Sequence, residues 1–112
     1  MDLPYSPAIL KGNTLFISGQ LGVNENNELV SEDVLEQFKQ ALSNLEKILN
    51  KYNFKKEDIV KTTIYITNEE YFEIINQEFK SYFNTHKPTR TTIIVKALPK
   101  KAKVEIEAIA MK

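Results

Sequence analysis

Along the middle of the chain the spacing of apolar residues changes twice, and each change marks a different element. From Val34 the apolar positions Val34, Phe38, Ala41, Leu42, Leu45, Ile48 and Leu49 recur every three or four residues with polar side chains between them. That is the spacing of one helix face. Asp33 precedes the run and Glu36 follows three residues later, a pair suited to the free N–H groups of a first turn. Val60, Thr62, Ile64 and Ile66 then alternate with Lys61, Thr63, Tyr65 and Thr67, a period of two that predicts a strand with two distinct faces. Behind the capping signal Thr67-Asn68-Glu69-Glu70, the helical spacing returns at Phe72, Ile75, Phe79, Tyr82 and Phe83. This second helix should stop near His86 to Pro88, because proline disfavours helix in the residue before it.

Flanking segments complete the pattern. Thr14 to Ser18 is β-branched and aromatic and is closed by Gly19, and Val23 to Glu28 is rich in turn formers. Arg90 to Val95 and Val104 to Met111 read as two closing strands joined through Ala97 to Lys101. Strand, helix, strand, helix and two further strands predict an α+β fold, with two helices packed on one face of a mixed sheet and right-handed crossovers. Residues 1–112 read as a single domain, and a chain of this length buries roughly two-thirds of its unfolded surface. No repeat, linker or low-complexity segment interrupts it.

The alternation also says something about the other sheet face. On the last strand Val104, Ile106, Ala108 and Ala110 share one side, and Glu105, Glu107, Ile109 and Met111 share the opposite side. Two helices cover only one of them. The Arg90 strand divides into Arg90, Thr92 and Ile94 against Thr91, Ile93 and Val95, so the uncovered face is expected to be mixed. Tyr65, Ile94, Ile109 and Met111 would stand there beside an arginine and two glutamates. Such a face is too apolar to be simply solvated and too ionisable to be core. A subunit interface satisfies both; a one-sided open sheet with scattered exposed apolar residues is the other arrangement that fits.

Composition narrows the function classes. Fifteen Lys and Arg balance fifteen Asp and Glu, so the long-range field is weak and a nucleic-acid partner is not expected. The absence of cysteine removes thiolate chemistry and disulfides and is compatible with a cytoplasmic protein. Met1-Asp2-Leu3-Pro4 lacks the basic and apolar runs of a leader, and no stretch approaches the roughly 18 apolar residues of a membrane span. A lone histidine, His86, cannot build a multi-histidine metal site or a nucleophile triad. Three glycines are too few for a phosphate-cradling glycine loop.

Certain runs carry more specific information. Pro4-Tyr5-Ser6, Gly12-Asn13, Leu15-Phe16-Ile17-Ser18-Gly19-Gln20, Lys61-Thr62-Thr63, Pro88 to Arg90, Leu98-Pro99-Lys100 and Val104 to Ala110 (VEIEAIA) follow one another in an order and spacing that resembles the RidA (YjgF) family over essentially the whole chain. The resemblance implies a chorismate-mutase-like fold and a homotrimer whose three sheets face a common axis, with sites in the clefts between subunits. It also implies hydrolysis of 2-iminopropanoate and 2-iminobutanoate, the reactive products of pyridoxal-phosphate dehydratases, to 2-oxo acids and ammonia, with no cofactor and no metal.

In that resemblance Arg90, the single arginine among fifteen basic residues, takes the place of the carboxylate-binding arginine. A planar guanidinium suits a 2-imino acid because it can hold the carboxylate by two parallel hydrogen bonds. Glu105 takes the place of the glutamate that orients and activates the attacking water, as general base catalysis requires. Tyr5, Ser18, Gly19, Asn76 and Thr92 match substrate-binding positions: Tyr5 as a lid, Ser18 and Gly19 through polar backbone groups, Asn76 from the second helix, and Thr92 through its carbonyl. Glu107 reads as a structural charge, paired with a lysine. Leu3 stands where the family usually has glycine, Pro7 where it is commonly polar, and Thr92 where it often has cysteine, departures that bear on substrate size. Two other functions fit the same residues, a non-catalytic 2-oxo acid-binding regulatory module and an RNA-directed role as ribonuclease or translation inhibitor.

Overall fold

A strand that the alternation does not announce opens the sheet. In the computed structural model, which describes residues 3–112, β1 (Ala8–Lys11) folds back on β2 (Thr14–Leu21) through the two residues Gly12-Asn13. Gly12 has φ +60°, the left-handed conformation that a tight hairpin needs and glycine adopts freely. Met1 and Asp2, with which the leader argument begins, lie outside the described residues.

The remaining elements are α1 (Val34–Lys51), β3 (Ile59–Ile66), α2 (Phe72–Tyr82), β4 (Thr89–Ile94) and β5 (Val104–Met111). The five strands lie in the order β1-β2-β5-β3-β4. β5 runs antiparallel to both β2 and β3, whereas β4 pairs parallel with β3 at the sheet edge. Both helices contribute to one core with a single sheet face: Phe38, Leu45 and Leu49 of α1 and Ile75 and Phe79 of α2 join Leu15, Ile64, Ile106 and Ala108. Each large aliphatic side chain buried in this way contributes about 1.5 to 3 kcal/mol. The fold is therefore the expected α+β layer of two helices on a mixed sheet.

The helix termini follow from local chemistry. Asp33 caps α1, its carboxylate accepting the Glu36 N–H at 3.0 Å. Asn68 does the same for Glu70 N–H at 2.9 Å, ahead of a single 3-10 turn that leads into α2. α2 ends at Tyr82, earlier than the His86-Pro88 signal suggests, because Phe83 leaves helical geometry to bury its ring against Phe79, with centroids 4.7 Å apart. Phe72, expected in the buried stripe, is 42% exposed at the start of α2.

One expectation is overturned. The register pairs Arg90 with Thr62, Thr92 with Ile64 and Ile94 with Ile66, and Ile64 and Ile66 are buried under the helices. Arg90, Thr92 and Ile94 therefore belong to the helix-covered face, and Thr91 and Ile93 to the open one. Alternation sorts a strand's residues into two sets, but only pairing says which set faces the core. The open face carries Glu105, Glu107, Tyr65, Phe16 and Ile109 without the arginine.

At the end of β2 the backbone of α1 comes unusually close. A Cβ on Gly22 would stand 2.4 Å from the Gln37 carbonyl oxygen and 2.5 Å from its Cα, backbone atoms that cannot move unless the helix does. Gly22→Ala should destabilise the protein by about 1 to 3 kcal/mol or more in urea unfolding. Gly12→Ala, with nothing within 4 Å of the added Cβ, meets no clash but must hold φ +60°, and should cost about 1 kcal/mol from the backbone alone.

Candidate functional site

The chain's single guanidinium is held on the helix side of the edge strand. Arg90 Nη2 donates to Asn76 Oδ1 at 2.5 Å, and its Cζ lies 5.0 Å from the Phe79 ring centroid and 5.5 Å from that of Phe72. Among the described residues Asn76 is its one hydrogen-bond partner. Burial lowers the Arg90 pKa, yet arginine keeps its proton in proteins. What results is a half-buried cation with most of its donors unengaged, the arrangement that attracts a carboxylate. Asn76 thus touches the arginine and is placed to orient it.

Thr92 lies two residues along the same face. Its hydroxyl oxygen is buried without a hydrogen-bond partner among the described residues. Its backbone is differently placed. Val95 N–H bonds to Ile66 O at 2.8 Å, so by alternation residues 90, 92 and 94 direct their N–H and C=O groups to the free edge of the sheet. The Thr92 carbonyl is thereby available outside the ladder.

A second group of residues gathers on the other side of the sheet. Between Ile17 and Gln20 the pairing of β2 with β5 slips by one residue, a β-bulge of the kind that re-aims side chains beside functional sites. Gly19 sits in this bulge with the Glu105 carboxylate directly above its Cα, so that a Cβ there would fall 1.8 Å from Oε2. Ser18 N–H donates to Pro7 O at 2.9 Å and its hydroxyl to Ser6 O at 2.7 Å, strapping the N-terminal segment across the bulge. Tyr5, 58% exposed, lies on that strap. Tyr5, Ser18 and Gly19, with Leu3, Pro7 and Leu21, line a cleft of about 360 Å³ that reaches Ile48 of α1, and Tyr5 and Ser18 also border a second cleft of about 390 Å³ over Phe16, Glu107 and Ile109; Glu105 stands beside these clefts and lines neither.

Electrostatics set Glu105 apart from its neighbours. Desolvation, with the nearby Glu107 charge as a smaller contribution, raises its pKa above the ordinary carboxylate value. Glu107 itself is not paired with a lysine as its sequence context suggests. It accepts the Tyr65 hydroxyl proton at 2.5 Å, and that hydrogen bond is the main reason the Tyr65 pKa is pushed up to about 12. Glu107 is thus engaged, while among the described residues the Glu105 carboxylate has no hydrogen-bond partner.

The seven site residues singled out from the sequence consequently fall into two groups. Arg90, Asn76 and Thr92 belong to the helix side of the β4 edge, and Tyr5, Ser18, Gly19 and Glu105 to the bulge of β2 and the open face. Register keeps the groups on opposite faces of one sheet within a single chain. The aromatic pair around Arg90 was not foreseen, although the i, i+4, i+7 spacing of Phe72, Asn76 and Phe79 was there to be noticed. His86 is exposed in the loop after α2. Among the described residues no group of three acidic or histidine side chains converges as metal ligands would, and no helix is long and apolar enough to cross a membrane.

A mixed five-stranded sheet with two helices on one face, a guanidinium at its edge and a partly buried carboxylate over a glycine bulge define a small α+β protein. A family model described as Endoribonuclease L-PSP matches residues 2–112. A RutC family protein of Aquifex aeolicus is 43% identical over 97% of this chain and 89% of its own length. The 2-iminobutanoate/2-iminopropanoate deaminase of Homo sapiens is 40% identical over 96% of this chain and 80% of its own. Among solved structures, RidA from an Antarctic Psychrobacter species superposes with a TM-score of 0.93 at 35% identity, over 97% of this chain and 89% of that one. The chain belongs to the RidA/YjgF family.

Gly19 offers a way to move one site atom without touching the fold. The three atoms nearest an added Cβ belong to the flexible end of Glu105, so Gly19→Ala should shift stability by less than about 1 kcal/mol while displacing the carboxylate. The expected outcome is an unchanged melting curve together with a carboxyl whose pKa, followed by NMR on Glu105, moves back toward about 4.3, the ordinary glutamate value.

Proposed function

We propose that the protein hydrolyses 2-imino acids such as 2-iminobutanoate and 2-iminopropanoate to 2-oxo acids and ammonia. The observation that carries this reading is the pairing, in one small chain, of a free guanidinium with a carboxylate held unusually basic by burial. Relatives at about 40% identity bear the corresponding name. Arg90 takes the substrate carboxylate by parallel N–H···O bonds, which fixes the position of C2. Glu105 accepts a proton from a water as that water's oxygen bonds to C2. Glu105 then gives that proton to the nitrogen, and as the C–N bond breaks and ammonia leaves, the hydroxyl proton returns to the Glu105 carboxylate and the carbonyl forms. The iminium carbon is already electrophilic, so positioning and one base suffice. Tyr5 covers the cleft, the Ser18 and Gly19 backbone and the Thr92 carbonyl hold polar atoms of substrate or water, and Asn76 steadies Arg90.

Because Arg90 and Glu105 occupy opposite faces of one sheet, the working site takes its arginine from one subunit and its glutamate from another, in a homotrimer whose open sheet faces meet. The exposed apolar residues Phe16, Ile93 and Met111 on that face support such burial. A cytoplasmic location is part of the same reading. The description of the family as endoribonucleases favours RNA as a second substrate; formal neutrality weighs against it, because phosphate contacts dominate such binding.

The test generates 2-iminobutanoate in situ from threonine with a dehydratase and follows its disappearance. Wild type should accelerate the loss, Arg90→Ala should lower kcat/KM by roughly a hundredfold, and Glu105→Gln should lower kcat by roughly a hundredfold or more. A folded wild type that binds 2-oxobutanoate without turnover would instead identify a binding module. Co-assembling Arg90→Ala with Glu105→Gln subunits should restore activity, approaching about a quarter of the sites for random mixing in a ring, one half times one half. No recovery would place both residues in the same subunit's site.

The shifted carboxyl predicts two pH effects. The base must be ionised, so kcat/KM should fall as pH drops through a pKa above about 4.3, the ordinary glutamate value, and this limb should vanish in Glu105→Gln. Stability runs the other way. A folded pKa above the unfolded one favours the neutral acid in the fold, so the ionised form weakens the protein at neutral pH and this penalty is gone below the unfolded pKa. Glu105→Gln should therefore raise Tm at about pH 7 and leave it unchanged near about pH 3.

A further inference from the structure

Three residues of α2 surround the Arg90 guanidinium, and only one of them is polar. Phe72, Asn76 and Phe79 are spaced by four and three residues and so share one helix face. Asn76 Oδ1 takes one Nη2 proton at 2.5 Å. The two rings lie 5.0 and 5.5 Å from Cζ, within the roughly 6 Å at which a ring quadrupole attracts a cation. We infer that Phe72 and Phe79 are positioning residues that hold the Arg90 guanidinium in the orientation needed to grip a carboxylate with two hydrogen bonds.

A free arginine side chain loses rotamer freedom on binding an anion. The amide contact with Asn76 restrains one nitrogen and leaves rotation about the bonds leading to the guanidinium. Two rings that attract the charge limit that rotation, and neither competes with a carboxylate for the N–H donors, as an acidic partner would. An aromatic cradle thus orders the cation while keeping its donors free. The rings also differ in burial. Phe79 is 7% exposed and belongs to the core, whereas Phe72 is 42% exposed and lies outside it. Phe72 can consequently be altered without opening the interior.

This inference rests on the reading of Arg90 as the carboxylate anchor, but its first test does not depend on turnover. Arg90 is the only arginine, so its Nε–Hε group gives a single assignable arginine signal in a 15N-labelled sample of the assembled protein. Ring currents should shift that signal away from the position of a free arginine, and in Phe72→Leu and Phe79→Leu it should return toward that position and exchange faster with water. Binding of 2-oxobutanoate by calorimetry, and KM for 2-iminobutanoate, should each weaken by roughly three- to thirtyfold in both variants, with kcat changed much less. Phe79→Tyr, which keeps a ring of the same shape, should restore the wild-type values.

An arginine signal at the free position in wild type overturns the inference. So does a folded Phe72→Leu, with unchanged melting curve, whose KM and 2-oxobutanoate affinity equal those of wild type. A shifted signal in a wild type that neither binds 2-oxobutanoate nor hydrolyses the imine leaves the cradle standing and removes the deaminase reading instead.

Discussion

The pairing of β4 with β3 decides where the chain's one arginine goes. A parallel edge strand in this register turns Arg90 toward α2, and the antiparallel β5 turns Glu105 to the opposite side. A shift of one residue in either pairing would exchange these faces. It would also drive Thr91 and Ile93 under the helices in place of Arg90 and Thr92, and bring Glu105 and Glu107 into the core, where unpaired carboxylates are costly. On β5 the hydrophobic demand of the core fixes the register, whereas on β4, whose other set Thr91 and Ile93 is the more apolar, the parallel pairing with β3 sets the face; between them they distribute the ionisable groups.

The two halves of the site are built on different principles. Around Arg90 a regular helix supplies every contact at i, i+4 and i+7, and rigidity comes from helix geometry. Around Glu105 the supporting element is an irregularity: one extra residue in β2 brings Gly19 beneath the carboxylate and leaves Ser18 to hold the N-terminal strap. The absence of a side chain matters as much there as the presence of one does at Phe79. Tyr65 completes the division of labour by occupying Glu107, so that of two glutamates on adjacent positions of the same face only Glu105 remains unbonded among the described residues.

Much of this was legible in the sequence. The spacing of Val34 to Leu49 and the alternation of Val60 to Thr67 located α1 and β3, because burial of one face imposes a period that composition cannot hide. β1 escaped notice since Ala8-Ile9-Leu10-Lys11 has neither alternation nor β-branched density, and it exists as a strand only because the Gly12-Asn13 turn returns it to β2. The site residues were suggested by family resemblance, and their division between two faces was not foreseen, for the alternation of β4 is ambiguous until a partner strand orients it. Glu107 and Phe72 were misassigned for related reasons. A charged residue invites an ion-pair reading and an aromatic one a core reading, yet their partners, Tyr65 and Arg90, are distant in the chain.

Gln37 shows how the helix layer keeps its place. Fully buried, it donates to Ser31 O at 2.9 Å and accepts from Lys103 N–H at 2.8 Å, so both ends of its amide are engaged. Leucine-rich contacts such as those of Leu42, Leu45 and Leu49 are nearly as favourable after a small roll or slide of the helix, because dispersion has little directionality. An amide with two partners tolerates no such adjustment: away from its one axial rotation it would leave a buried donor and acceptor unsatisfied. Gln37 therefore acts as a key in the interior, excluding near-native packings that the apolar side chains alone would accept.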